Sequence, residues 1–248
     1  MPEALLHALE LSRSFGGLAA VDGVSLACET GKVHAVIGPN GAGKSTLINL
    51  LSGELPADGG EVWFDGHEIT GLPAHRVSQL GIARSYQKIN LFLPLSAREN
   101  CRLAAQSRLR GIAHLFRPQA SRPQVDAAAM DALGRVGMAG RADARVADLS
   151  HGERRQVEIA MVLATRPRVL LLDEPLAGMG HAEAVGILAL LKDLATDHAI
   201  LLVEHDMDAV FALADTLTVM VNGRLLESGP PAQIRASRAV QEAYLGTA

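Results

Sequence analysis

Several shortages narrow the field before any motif is considered. Of 248 residues only two are cysteine, Cys28 and Cys101. That is too few for a disulfide framework and fits a reducing compartment. Basic residues are not in excess: the formal net charge is −4, so the electrostatic footprint of a nucleic-acid binder is missing and no nucleic-acid partner is expected. No apolar run approaches the ~18 residues needed to cross a bilayer, and no basic-then-apolar signal segment opens the sequence. Internal repeats and low-complexity tracts are absent too. What is present is ample apolar material, 48% of residues against 20% charged, enough for one large domain or a core with a subdomain. The mean hydropathy of +0.17 is high for a soluble enzyme, and the excess is expected to cover a partner's surface.

One stretch organises the rest: Gly38-Pro39-Asn40-Gly41-Ala42-Gly43-Lys44-Ser45-Thr46. It lies between an apolar run, Val33–Ile37, and Leu47–Leu51, which reads as the first turns of a helix. Three glycines let successive amides curl inward toward an anion, and the helix adds the positive end of its dipole. Lys44 can reach between β- and γ-phosphates, and the Ser45 hydroxyl is placed to ligate Mg²⁺. A glycine-rich turn that merely joins strand to helix is the plainer alternative. The G-x-x-x-x-G-K-[ST] pattern arises by chance in about one chain in a hundred of this length, and its setting makes accident rarer. Nucleoside-triphosphate binding is the expectation.

In chain order, Ala4–Leu11 and Val21–Cys28 read as strands punctuated by Gly16-Gly17 and Asp22-Gly23. Phe15, in a chain with 3% aromatics, could stack on an adenine face or serve as a strand-edge core residue. Asp65-Gly66 marks a hairpin between Glu61–Phe64 and His67–Ile69. Ile82–Tyr86 reads as a buried strand ending at Gln87, where ligands bind in open α/β sheets. From about Lys88 to Asp148, prolines 94, 118 and 123 break the pattern, with helical periodicity over Arg98–Leu109 and Val125–Val136. Five arginines and no acidic residue fall between Cys101 and Val125. A solvated face is the ordinary meaning, and anionic head groups or an acidic partner loop the alternative.

Ser150 and Glu153 have capping-box spacing at the start of a helix running to about Thr165. Leu149-Ser150-His151-Gly152-Glu153 also sets a serine and a glycine at a helix N-terminus, a second potential phosphate site. The apolar strand Val169–Leu172 ends in Asp173-Glu174. Asp173 fits the Mg²⁺ shell with Ser45, and Glu174 fits polarisation of an attacking water. A helix over Ala182–Leu194 precedes a buried strand, Ala199–Val203, after which His205 could hydrogen-bond a γ-phosphate. A hairpin around Asn222-Gly223 and a short helix close the chain.

The ordered set of P-loop, strand-end glutamine, LSHGE helix, strand ending in Asp-Glu and strand-end histidine resembles the ATP-binding subunit of an ABC transporter. Within that superfamily Phe15–Val21, Gly81–Gln87, Glu204–Met207 and Tyr244–Gly246 look like the LivG-type ATPases of branched-chain amino-acid importers. The resemblance implies an α/β P-loop fold with an antiparallel β subdomain, a core over residues 1–87 and 156–248, and a helical subdomain inserted at about 88–155. Family roles then map as follows: Phe15 stacks on adenine, Lys44 and Ser45 hold phosphate and Mg²⁺, and Gln87 is the Q-loop sensor in the metal shell with Asp173. Ser150 and Gly152 become the signature that closes on the partner subunit's ATP, Glu174 the catalytic carboxylate, and His205 the switch histidine. Two such subunits sandwich two ATP molecules head to tail and drive a membrane permease from the cytoplasmic face of the inner membrane, while a periplasmic binding protein delivers cargo.

Two positions depart from the pattern. His151 stands where the signature usually has a second glycine, and Gly180 where the family usually has Asp or Asn, which puts symmetric two-site hydrolysis in doubt. Lipopolysaccharide-export and urea-uptake ATPases are the runner-up transporters. A soluble P-loop phosphotransferase or a non-transport ABC ATPase are the readings outside transport. Finally, Ile89-Asn90-Leu91-Phe92-Leu93-Pro94-Leu95 either faces outward as an apolar docking patch for the permease's coupling helix, or Leu91 to Leu95 pack the helical subdomain against the core.

Overall fold

Residues 4–86, 90–108 and 123–245 are described by the computed structural model of the chain. Its first strands, β1 (Leu6–Phe15) and β2 (Leu18–Cys28), form an antiparallel hairpin. β3 (Val33–Ile37) runs into the glycine loop and α1 (Lys44–Leu51). β4 (Gly59–Phe64) and β5 (His67–Glu68) turn about Asp65 and Gly66, both at positive φ, the conformation an Asp-Gly hairpin needs. After α2 (Ala74–Leu80) and β6 (Ile82–Arg84) come α3 (Ala97–Gln106), α4 (Pro123–Arg135) and α5 (His151–Ala164). α3 and α5 each start at a complete capping box, Ser96 with Glu99 and Ser150 with Glu153, so their first amides are satisfied locally. The chain continues through β7 (Val169–Asp173), α6 (His181–Leu194), β8 (Ala199–Val203), α7 (Met207–Leu213), β9 (Thr216–Val221), β10 (Arg224–Gly229), α8 (Pro231–Ala236) and α9 (Arg238–Leu245).

The strands make two sheets. One is antiparallel, ordered β2-β1-β4-β5; the other is ordered β10-β9-β3-β8-β7-β6 and is parallel except for its β10 edge. β3, β7 and β8 are buried on both faces, as their continuous apolar runs require. The alternation of side chains along a strand sorts these runs into two cores. Val33, Ala35, Ile37, Leu170, Leu172, Ile200 and Leu202 face the helical layer with α3, α4, α5 and α6. Val36, Val169, Leu171, Leu201 and Val203 face α1 and the antiparallel sheet. The parallel sheet therefore stands between helices and a second sheet, with its carboxyl edge beside the glycine loop.

Differences from the sequence reading are local. The strand expected over Ile82–Tyr86 stops at Arg84. α2 and α7 were not anticipated, because seven residues span barely two turns and show little 3.6-residue periodicity. The C-terminal helix is two short ones. α5 covers the span expected for it and packs on α3 and α4 as well as on β6 and α6. The arginine-rich stretch is no free face where it is described: Arg102 lies 3.4 Å from Asp126, and Arg108 donates to the carbonyls of Ser78, Gln79 and Arg166. Arg110, Arg117 and Arg122 lie outside the described residues.

Candidate nucleotide site

The glycine loop leaves the buried end of β3 and re-enters as α1, with Gly43 as the helix N-cap at φ 99. A Cβ on Gly38 would stand 2.2 Å from the Met220 carbonyl, and one on Gly43 2.1 Å from the Ala20 carbonyl. Side chains are thus excluded where the loop passes β9 and β2, which leaves backbone amides to line the cradle. Pro39 is half-buried, Asn40 and Gly41 exposed, Ala42 buried and Thr46 half-buried. The Lys44 ammonium lies back across the loop, donating to the carbonyls of Gly38 at 2.7 Å and Pro39 at 3.0 Å. Burial lowers its pKa, opposed by the charges of Glu174 and Asp173. Ser45, next in α1, is exposed.

Asp173 closes β7 and is buried. Its nearest cation is Arg84 at the end of neighbouring β6, Nη2 to Oδ2 3.4 Å. Burial raises the Asp173 carboxyl, with Arg84 opposing. Arg84 also donates to Asn49 and to Glu54 at 2.9 Å, and stacks 5.0 Å over the Tyr86 ring. The Tyr86 hydroxyl donates to Glu54 at 2.5 Å, and burial pushes its pKa up to about 12. Gln87, the next residue, lies outside the described residues.

Glu174 follows Asp173 with a left-handed backbone, φ 49. Its carboxylate stands 3.6 Å from the His205 imidazole, so the ends of β7 and β8 bring the two residues together. Phe15 is 48% exposed at the tip of the first hairpin, with the Arg13 guanidinium 5.2 Å from its ring centroid. This removes the alternative that it is a core residue.

Ser150 and Gly152 lie at the N-terminus of α5. The Ser150 hydroxyl accepts from the Glu153 amide at 3.2 Å, and the Gly152 amide donates to Glu183 at 3.2 Å. The Glu183 carboxylate also accepts from the Gly180 amide at 3.3 Å, so it fastens the start of α5 to the start of α6. His151 Nε2 is 3.3 Å from the Ala177 carbonyl. Among the described residues, no hydrogen bond links Ser150 or Gly152 to the glycine loop of the same chain.

Sequence reasoning passed over the residues that brace these loops: Arg84, Arg155, Glu158, Glu183 and Glu204. Arg155 is 1% exposed and donates to the carbonyls of Tyr86 at 3.2 Å and Glu174 at 3.1 Å, while pairing with Glu158 at 2.5 Å. The only signal was a charged residue repeating on the buried face of an amphipathic helix, which no motif marks.

A strand, an anion-cradling loop and a helix, with two carboxylates and a histidine at adjacent strand ends, make the site of a P-loop nucleotide-binding protein. A family model described as ABC transporter matches residues 21–177, and one described as branched-chain amino acid ATP-binding cassette transporter matches residues 224–248. The high-affinity branched-chain amino acid transport ATP-binding protein BraF of Pseudomonas aeruginosa is 39% identical over the full length of both chains. LivG of Escherichia coli K12, of the same description, is 35% identical, again over both full lengths. Among solved structures, the ADP conformation of an ATP-binding cassette of an ABC transporter superposes with a TM-score of 0.88 at 29% identity, covering 98% of this chain and 99% of that one. A nucleotide-free cassette superposes with a TM-score of 0.87 at 28% identity, with the same coverage. The chain belongs to the ABC transporter family and is one of its ATP-hydrolysing cassettes.

Proposed function

We propose that this chain is the ATP-binding and ATP-hydrolysing subunit of an importer for branched-chain amino acids. It works peripherally at the cytoplasmic face of the inner membrane on a separate permease. The cargo rests on the full-length similarity to BraF and LivG and on the C-terminal match at residues 224–248. No helix among the described residues is long and apolar enough to cross a membrane, which agrees with a separate permease.

The observation that carries the chemistry is the meeting of Glu174 and His205, 3.6 Å apart, at the strand edge that faces Lys44. Phe15 offers an exposed ring to adenine. The glycine-loop amides and Lys44 take the β- and γ-phosphates, Glu174 polarises the attacking water, and His205 and Gln87 contact the γ-phosphate side. The Ser45 hydroxyl, Asp173 and Gln87 would hold Mg²⁺, which oxygen donors of this kind suit. When bound, it neutralises charge on the phosphates.

Ser150 and Gly152, at the N-terminus of α5, suit the γ-phosphate held by a second ATPase subunit in a head-to-tail pair. For the permease, two features offer a contact: a groove of about 230 Å³ between β6, α2, α3 and α5, lined by Glu54, Arg84, Tyr86 and Asn90, and the exposed side chains of Phe92 and Leu93. Reconstitution with its permeases and binding protein in proteoliposomes tests the reading. ATP-dependent uptake of leucine, isoleucine or valine is expected, and a complex that hydrolyses ATP without moving any of them overturns the cargo.

A further inference from the structure

Glu204 is a charged residue in an apolar place. It follows the last residue of β8, is 1% exposed, and has no cation within salt-bridge distance among the pairs formed by the described residues. Burying a carboxylate is costly unless hydrogen bonds compensate. Here the compensation comes from two loops at once: Oε1 accepts from the Leu176 amide at 2.8 Å and Oε2 from the His205 amide at 3.1 Å. Burial raises its pKa, opposed by the amides of Leu176, His205 and Asp206.

Leu176 sits inside the turn that begins at Glu174. That turn closes by a bond from the Ala177 amide to the Glu174 carbonyl at 3.1 Å, which leaves the Leu176 amide to find another acceptor. Glu174 itself adopts φ 49, a left-handed conformation that strains a non-glycine residue and persists only when its surroundings impose it. The surroundings do so from three sides. The Glu174 amide donates to the Val203 carbonyl at 2.9 Å, its carbonyl accepts from Arg155 at 3.1 Å, and the residue two positions on is caught by Glu204.

We propose that Glu204 is a positioning residue for hydrolysis: its carboxylate locks the turn carrying Glu174 to the loop carrying His205 and so sets the two side chains against each other. The proposal rests on the hydrolytic roles given above to Glu174 and His205. Glu204 acts through the two backbone amides it accepts from. Glutamine at 204 keeps the size but offers one acceptor where two are needed, and aspartate keeps the charge but loses reach.

The test compares Glu204→Gln, Glu174→Gln and the double variant in the assembled transporter, with Glu204→Asp taking the same place should Glu204→Gln not fold. Hydrogen exchange at the Leu176 and His205 amides is expected to quicken at least about tenfold on local opening. Nucleotide affinity and KM should stay within about twofold while kcat falls about 100-fold, the scale of a small misplacement of reacting groups. In the Glu174→Gln background the second substitution should cost nothing further in single-turnover hydrolysis, because the group it positions is gone. Wild-type kcat in a folded Glu204 variant, beside an inactive Glu174→Gln, overturns the proposal alone. So does an equal loss in both backgrounds, which marks a merely structural carboxylate. A Glu174→Gln transporter that hydrolyses normally removes the underlying reading and this proposal with it.

Discussion

The imidazole of His205 and the carboxylate of Glu174 face each other across the ends of β8 and β7, Nδ1 to Oε1 3.6 Å apart. Both backbones are held elsewhere: Glu174 by the carbonyl of Val203 and by Arg155, His205 by the Glu204 carboxylate. The His205 side chain is 64% exposed and that of Glu174 20%, so the histidine is free to turn toward a phosphate while the carboxylate stays. This division suits a mobile contact to the γ-phosphate beside a fixed group acting on water.

Replacing Glu174 by glutamine separates binding from chemistry. Nucleotide affinity is expected to persist, since the glycine loop and Lys44 are untouched. Hydrolysis is expected to fall about 10²–10⁴-fold, the contribution of a positioned general base, and an ATP-bound dimer should accumulate on size exclusion. Unchanged turnover would remove Glu174 from its role.

Phe15 is 48% exposed, so truncating it removes little packing. Phe15→Ala is expected to weaken ATP binding by about 1–3 kcal/mol, the scale of base–aromatic stacking, with the melting temperature nearly unchanged. Fluorescent-nucleotide titration beside thermal melting checks both halves. Lost stability with unaltered affinity would assign the ring a structural role instead.

Much of this was legible in the primary structure, for reasons that differ by element. The strands β3, β7 and β8 announce themselves as continuous apolar runs because they are buried on both faces. The glycine loop is legible because its glycines answer a steric demand, carbonyls at 2.1 and 2.2 Å from the missing Cβ atoms of Gly43 and Gly38. The strand-end places of Glu174 and His205 are legible because each follows an apolar run. What could not be read were residues whose work depends on tertiary neighbours: Glu204 accepting from Leu176, Arg155 reaching Tyr86 and Glu174, and Glu183 bridging Gly152 and Gly180. Local sequence carries no trace of a hydrogen bond made 28 residues away.

Two loop glycines should respond unequally to alanine. Gly43 has φ +99 and a carbonyl 2.1 Å from the added methyl, whereas Gly41 has φ +81 and nothing within 4 Å. Gly41→Ala is expected to cost about 1–2 kcal/mol for the left-handed backbone alone. Gly43→Ala adds a backbone clash and is expected to cost about 3 kcal/mol or more, the range of large single-site losses, and to abolish ATP binding. Denaturant unfolding of the two variants side by side decides it; equal losses would mean the loop relaxes around Gly43.

His151 and Gly180 both lie on the surface expected to meet a second ATPase subunit. The His151 side chain occupies space beside Ala177 and Gly178, and Gly180 presents no side chain across the pair. The isolated chain is therefore expected to be monomeric without ATP and a weak ATPase, with a different ATPase subunit as its natural partner. Sedimentation and turnover measurements on the chain alone and in complex check this. Tight self-association with turnover equal to that of the complex would contradict it.

The segment that follows the nucleotide site is built to present a ring. Asn100, fully buried, accepts from the Phe92 amide at 2.9 Å and donates to the Phe92 carbonyl at 3.1 Å. Leu91 packs on the core, while Phe92 and Leu93 stand 56% and 46% exposed. The backbone is thus pinned while the ring is held out in water, which fits an apolar contact offered to a permease and disagrees with Phe92 packing the subdomain from within. Phe92→Asp separates the two. An aspartate at an exposed position is expected to change stability by no more than about 0.5 kcal/mol and to leave ATP binding intact. Permease association and permease-stimulated hydrolysis should be lost. An Asn100→Ala control should behave differently, lowering stability by about 1–3 kcal/mol through the buried backbone groups it leaves unpaired. Melting curves and a pull-down with the permease read both variants. A Phe92→Asp chain that still couples fully would take the docking contact away from this ring, and one that melts would show that the ring is buried in solution.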